Sequence, residues 1–143
     1  MSFIEKKTLF NNYRYFTKLI PTININPNDK FESKIFLDEN TDRKGYGGLR
    51  YKNFFKSSTR EKPLISIITP NFKSPDLEKT IISVLKQEYE NIELIIIDAD
   101  SGEETIKILK KYEDHIDLWV SEKDNGLWDG WNKGLKLANG DYI

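Results

Sequence analysis

The stretch Ile92–Gly102 reads I-E-L-I-I-I-D-A-D-S-G, and its reading decides the fold. Leu94, Ile95, Ile96 and Ile97 form an unbroken apolar run rich in β-branched side chains. That is the pattern of a strand covered on both faces, as in a parallel sheet. The run stops at Asp98, and Asp100 and Ser101 follow at once. Open α/β sheets bind ligands at the carboxyl ends of their strands, so a carboxylate there is a candidate ligand group. The same residue also suits a plainer role, ending the strand or capping the next helix.

Working outward, Leu64–Ile68 reads as a second buried strand, and Thr69–Lys73 as the turn that leaves it. Ser74 and Pro75 supply an N-cap and a first helical residue, and Leu77, Ile81, Val84 and Leu85 an apolar helix face. After the central strand, Ser101 and Glu104 fit a capping box, followed by a helix with Ile106, Leu109 and Tyr112 inward. His115–Val120 alternates and predicts a strand with one less buried face. Ser121–Gly126 is a loop. Leu127–Ala138 predicts a helix with Trp128, Trp131, Leu135 and Ala138 on its stripe, and Asp141–Ile143 looks like the opening of another strand. The alternation of strand and helix predicts an α/β fold with a mostly parallel sheet and helices on both faces. A last strand of three residues is short, so the sequence reads as cut inside a domain.

The 143 residues contain no cysteine, which excludes a disulfide framework and thiolate metal sites. No apolar run approaches membrane-spanning length, and no signal-peptide core opens the chain. Charge is uneven. Residues 1–62 carry 13 Lys and Arg against 7 acids, whereas residues 63–143 carry 9 Lys against 16 acids. A basic N-terminal extension with linker (1–62) therefore precedes an acidic domain (63–143). Within 1–20, Leu9, Phe10, Tyr13, Phe16 and Ile20 fall near helical spacing. They predict a helix, packed on the protein or lying as a peripheral contact on an anionic membrane. Pro21–Asp42 reads as loop. Lys44–Lys56 mixes glycines, aromatics and bases; in a chain that is not basic overall it predicts an irregular segment over the domain, not a nucleic-acid site.

Three loops then converge at one sheet edge: Thr69–Lys73, Asp98–Gly102 and Ser121–Gly126. A nucleotide suits them. Pro70 and Phe72 offer apolar contact to a base, and Asp98 can accept hydrogen bonds from a base or ribose. Neither G-x-G-x-x-G nor G-K-[ST] occurs, so dinucleotide oxidoreductases and P-loop enzymes are unsupported. A receiver-like module needs an acidic pair after its first strand, where this chain has Thr69 and Pro70.

The segments P-L-I-S-I-I-T-P-N-F, I-E-L-I-I-I-D-A-D-S-G-E-E-T and S-E-K-D-N-G-L-W-D-G-W-N-K-G-L-K-L-A-N-G-D-Y-I, in this order, resemble the family 2 glycosyltransferases with the GT-A (Rossmann-like) fold. The resemblance spans Pro63–Ile143, and G-G-L-R-Y-K-N-F-F-K is similar to extensions before the domain in some bacterial members. It implies an inverting transfer from a UDP-sugar to a glycan or lipid-linked acceptor, in bacterial envelope polysaccharide synthesis at the cytoplasmic face of the membrane. It also implies roles. Thr69, Pro70 and Phe72 would hold the nucleoside and Asp98 would read the base. Asp100 and Ser101 would form the turn beside it, and Asp124, Gly126 and Asp129 would lie near the diphosphate and sugar. Lys73 and Trp131 depart from the family pattern. The family's Mg²⁺ or Mn²⁺ is held by an acidic pair after the strand that opens at Gly140–Ile143. That pair and the catalytic base are therefore expected beyond Ile143, not at Asp98-Ala99-Asp100, and the 143 residues are expected to bind nucleotide without turnover. The alternative is a non-catalytic nucleotide-binding or assembly module.

Overall fold

The elements run β1 (Ile4–Lys7), β2 (Tyr13–Phe16), β3 (Gly45–Gly47), a 3-10 turn (Leu49–Lys52), β4 (Ile65–Asn71), α1 (Leu77–Leu85), β5 (Ile92–Asp98), α2 (Glu103–Lys111), β6 (Leu118–Ser121) and α3 (Leu127–Leu137). They are seen in a computed structural model that describes residues 3–23 and 32–143. A four-stranded sheet has the order β3-β6-β5-β4, in which β4, β5 and β6 are parallel and β3 is antiparallel to β6. This is the mixed α/β arrangement expected from the strand–helix alternation.

Every residue of β5 is buried, as its apolar run requires. Successive side chains point to opposite faces. Leu94 and Ile96 pack with Leu77, Ile81, Val84, Leu85 and Leu109 under α1 and α2. Ile95 and Ile97 pack with Leu118, Val120 and Leu137 under α3. Each fully buried aliphatic side chain contributes about 1.5–3 kcal/mol, so this one strand carries much of the core. Helix α3 sits close to β4. A Cβ added at Gly134 would lie 2.2 Å from Ile68 Cγ2, and one at Gly130 3.3 Å from Pro70 Cβ.

Several local expectations are corrected. Residues 3–20 do not form the expected helix: β1 and β2 are an antiparallel hairpin, with Ile4 opposite Phe16. Its turn is closed by the Thr8 amide donating to the Asn12 carbonyl (2.7 Å). Asn11 turns at φ 65°, a conformation asparagine tolerates and a helix does not. The aromatics Tyr13, Tyr15 and Phe16 favour a strand. Lys44–Lys56 is more ordered than expected, because β3 completes the sheet edge. A Cβ at Gly47 would meet Trp119 Nε1 at 2.6 Å, so only glycine lets this strand cross the indole. That covering also buries all of β6, including Trp119, where one less buried face was expected.

The inward face of α3 is Gly130, Gly134 and Leu137, not the tryptophan stripe, and Trp128 is 79% exposed. Close backbone approach, not side-chain bulk, selects that face. Strand β4 runs on to Asn71, three residues into the expected turn. It is at the sheet's edge, where Pro70 costs no interior ladder bond. Ser74 accepts the Asp76 amide, and α1 begins regularly at Leu77 without a side-chain cap. Ser101 does not cap α2; its hydroxyl is used elsewhere.

Buried ion pairs tie the N-terminal segment to the sheet. Arg50 donates to Glu93 (2.9 Å) and Lys56 to Asp117 (2.8 Å), all four side chains almost fully buried. Burial pushes Lys56 below and Asp117 above their ordinary ranges, and each acts on the other in the opposite sense.

Candidate active site

The sheet register sets the site. Asn71 lies level with Asp98, and Asp98 with Ser121, so three polar residues stand abreast at the carboxyl ends of β4, β5 and β6. The Asp98 carboxylate is fully buried. Its Oδ1 accepts from Asn71 Nδ2 (2.7 Å) and Ser101 Oγ (2.5 Å). Its Oδ2 accepts from the Ser101 amide (3.0 Å) and Ser121 Oγ (2.7 Å). Two carboxylate oxygens offer about four acceptor positions, and these bonds fill them. The expected base reader is thus saturated inside the protein. In this structure Asp98 braces the ends of three strands.

The cleft opens past the strand ends, where Asn71 borders it, and mainly toward the other side of the sheet. Strand alternation turns Thr69 and Asp98 toward the α1 and α2 face, and Pro70 and Ala99 toward α3. A cavity of about 590 Å³ opens there, lined in part by Pro70, Phe72, Lys73, Asp100, Lys123 and Asp124. Asn71, Ala99, Gly126 and Leu127 complete its wall. Of the residues singled out from sequence, Pro70, Phe72, Asp100, Asp124 and Gly126 line this cleft, whereas Thr69, Asp98, Ser101 and Asp129 do not.

Ser101 links brace and cleft. Its hydroxyl accepts the Lys73 amide (2.7 Å) while donating to Asp98. Lys73 (φ 50°) and Asp100 (φ 54°) are both left-handed, an uncommon conformation for such residues, and they flank this contact. The loop before α3 is held by carboxylates. Asp124 accepts the Gly126 amide (2.9 Å), and Asp129 accepts the Asn125 amide (3.0 Å). Asp129 also lies 3.6 Å from Lys133.

The two lysines escaped the sequence reading as cleft residues. Lys73 stood out only as a departure from the family pattern, and Lys123 sits in a loop with no signal of its own. The Lys73 ammonium lies 5.2 Å from the Phe72 ring centroid, and Phe72 is 65% exposed. The arrangement offers a ring face and two cations beside two carboxylates. That suits a ligand with a planar base, hydroxyls and a negatively charged group. Behind the loop, burial would raise the Glu122 carboxyl, but Arg43 (2.7 Å) and Lys133 (3.0 Å) hold it below its ordinary value. Among the described residues, no group of three or more His, Cys, Asp or Glu is placed to hold a metal ion.

Comparison with known proteins bears on the same segment. The chain is 39% identical over 83 residues to an uncharacterised glycosyltransferase of Mycobacterium tuberculosis, covering 57% of this chain and 32% of that protein. It is 38% identical over 89 residues to the Bacillus subtilis putative teichuronic acid biosynthesis glycosyltransferase TuaG, covering 59% and 35%. It is 38% identical over 82 residues to the Escherichia coli UDP-Glc:alpha-D-GlcNAc-diphosphoundecaprenol beta-1,3-glucosyltransferase WfgD, covering 56% and 32%. The chain therefore spans about a third of the length of these relatives. No solved structure matches it significantly. The model of the glycosyl transferase family 2 matches residues 66–143, the segment that carries the parallel strands, the brace and the cleft; this chain belongs to that family.

Proposed function

We propose that this chain supplies the nucleotide-sugar-binding part of an inverting glycosyltransferase that moves a sugar from a UDP-sugar to a glycan or lipid-linked acceptor. The observation that carries the reading is the cleft at the carboxyl ends of β4 and β5, inside the family-matched segment. In it the base lies against Phe72 and Pro70. Lys73 and Lys123 face the diphosphate, and Asp100 and Asp124 accept from ribose or sugar hydroxyls. The WfgD relative's printed donor and diphosphoundecaprenol acceptor support a UDP-sugar and a lipid-linked acceptor, and TuaG supports envelope polysaccharide synthesis. The setting is the cytoplasmic face of the cell membrane; among the described residues no helix is long and apolar enough to cross it.

The divalent cation of the reading, Mg²⁺ or Mn²⁺, finds no three-carboxylate group among the described residues. Asp98 has no free oxygen for it. We propose further that the 143 residues bind donor without transferring sugar.

Isothermal titration with UDP tests the binding, with ADP and uridine as comparisons. Saturable heat from UDP at micromolar to millimolar concentration, lost in Lys73→Ala with Lys123→Ala, supports the reading. No heat at millimolar UDP overturns it and favours a non-catalytic module. Sugar transfer from UDP-glucose by the 143 residues with Mn²⁺ would overturn the proposed inactivity.

A further inference from the structure

A second concave site lies on the same side of the sheet as the cleft, built by the N-terminal segment. Its cavity of about 500 Å³ is lined in part by Phe36, Asn40, Thr41, Arg43, Tyr46 and Tyr51. The three rings are contiguous. Phe36 and Tyr51 have centroids 4.7 Å apart, and Tyr46 and Tyr51 4.8 Å apart. Phe36 and Tyr51 rest on the core of Ile95, Leu118, Val120 and Leu137, so the platform is anchored from below. Tyr46 is 58% exposed. It pairs with Val120, between Gly45 and Gly47. Alternation therefore turns it away from Trp119 and toward the α3 side, where the nucleotide cleft also opens.

Polar groups ring this apolar floor. Arg43 donates to Glu122 (2.7 Å) and to the Asp38 carbonyl (2.7 Å), and Asn40 donates to Glu122 (3.2 Å). Glu122 also pairs with Lys133, which reaches Asp129 in the first turn of α3. A continuous run of charged side chains thus joins the platform to the loop beside the cleft. Arg43 is already neutralised, and Glu39 and Asn40 are exposed acceptors. The site therefore has no cationic excess for a phosphate or nucleic acid. Apolar ring faces with amide, hydroxyl and carboxylate groups at the edge fit a neutral ligand that is apolar on one face and hydroxylated around its rim.

We propose that Tyr46, Tyr51 and Phe36 form an oligosaccharide-binding platform that holds the acceptor glycan one strand away from the donor cleft. Its ligand class rests on the glycosyltransferase reading above; its existence rests on the rings alone. Pyranose C–H faces stack on Tyr46 and Tyr51. Asn40, Thr41 and Glu39 meet the hydroxyls. The stacking rings are held in place, so little ordering entropy is lost on binding.

Saturation-transfer NMR on the 143-residue protein tests this, with maltotriose, cellotriose and chitotriose as probes and UDP titrated separately. At least one trisaccharide is expected to receive saturation from aromatic protons. Tyr46→Ala should weaken it by at least about tenfold, the loss of one stacking ring. Tyr46→Phe, which keeps the ring, should retain it, and UDP binding should be unchanged in both variants. If no trisaccharide binds, or binding survives Tyr46→Ala, the platform is refuted even where UDP binds. Trisaccharide binding without UDP binding would uphold the platform and refute the donor reading.

Discussion

Asp98→Asn separates a brace from a reader. The native carboxylate is fully buried and accepts four hydrogen bonds. In asparagine one oxygen becomes an amide that can only donate. Wherever it points, it faces one donor that a simple rotation can convert, Ser101 Oγ or Ser121 Oγ. It also faces Asn71 Nδ2 or the Ser101 amide, and the latter can never accept. A buried donor left unpaired costs about 1–3 kcal/mol, and the remaining bonds fall from charge-assisted to neutral strength, roughly another 1 kcal/mol. The sum is about 2–4 kcal/mol of stability. Urea unfolding followed by tryptophan fluorescence should show the midpoint falling with little change in slope. Under conditions where the variant stays folded, UDP affinity should fall only as far as the Lys73 and Asp100 loops shift. A variant as stable as the parent that has lost UDP binding would refute the bracing role and restore Asp98 to the base.

Three further perturbations follow from the packing and the buried charges. Gly134→Ala should lose about 1–3 kcal/mol to overpacking against Ile68, less about 1 kcal/mol gained in helix propensity. Ile68→Ala in the same protein should recover part of that loss, and additive costs in a double-mutant cycle would contradict the contact. Arg50→Met strands Glu93, which accepts from Arg50 (2.9 Å), Ser66 (2.6 Å) and the Asn139 amide (2.6 Å), inside the protein. Thermal melts should show about 3–5 kcal/mol of destabilisation; an unchanged midpoint would show the pair to be dispensable. Glu122 has a folded-state value below its unfolded one, so its contribution is complete above the unfolded carboxyl range near pH 4–5 and is lost as pH falls through the folded value. Glu122→Gln should therefore flatten the acid limb of a stability–pH curve, and parallel curves would refute the linkage.

Much of the fold was legible because burial writes itself into apolar periodicity. Leu94–Ile97 announced a two-faced strand, and Leu77, Ile81, Val84 and Leu85 announced the inner face of α1, and all are buried. What failed had a common cause, a neighbour distant in sequence. Trp119 looked half-solvated until β3 crossed it. The tryptophans of α3 outweighed Gly130 and Gly134, because glycine carries no hydrophobic signal even where close approach selects the face. The N-terminal hairpin was hidden by aromatics whose spacing satisfies a helix, and only Asn11-Asn12 hinted at the turn. The location of the cleft was legible from the convergence of three loops. The division of labour within it was not, because one residue of register decides which face of the sheet a side chain serves.

That parity carries the functional argument to its end. Asn71, Asp98 and Ser121 align across three strands on one face, and of the three Asn71 also borders the cleft, whereas Asp98 and Ser121 do not. On the proposed reading, the residue that meets the nucleotide at the end of β5 is an odd-parity neighbour or lies in the loop, which leaves Ala99 and Asp100. Ala99 brings a methyl group, so polar recognition at this strand end falls to Asp100 and to backbone. Asp100 is held left-handed by a turn whose closing bonds run through Ser101 to Asp98. A buried carboxylate outside the cleft lining thereby fixes one that lines it. Asp100→Asn should weaken UDP or UDP-sugar binding without moving the urea midpoint, the inverse of Asp98→Asn. Matching losses of stability in the two variants would mean that the brace and the cleft are not distinct.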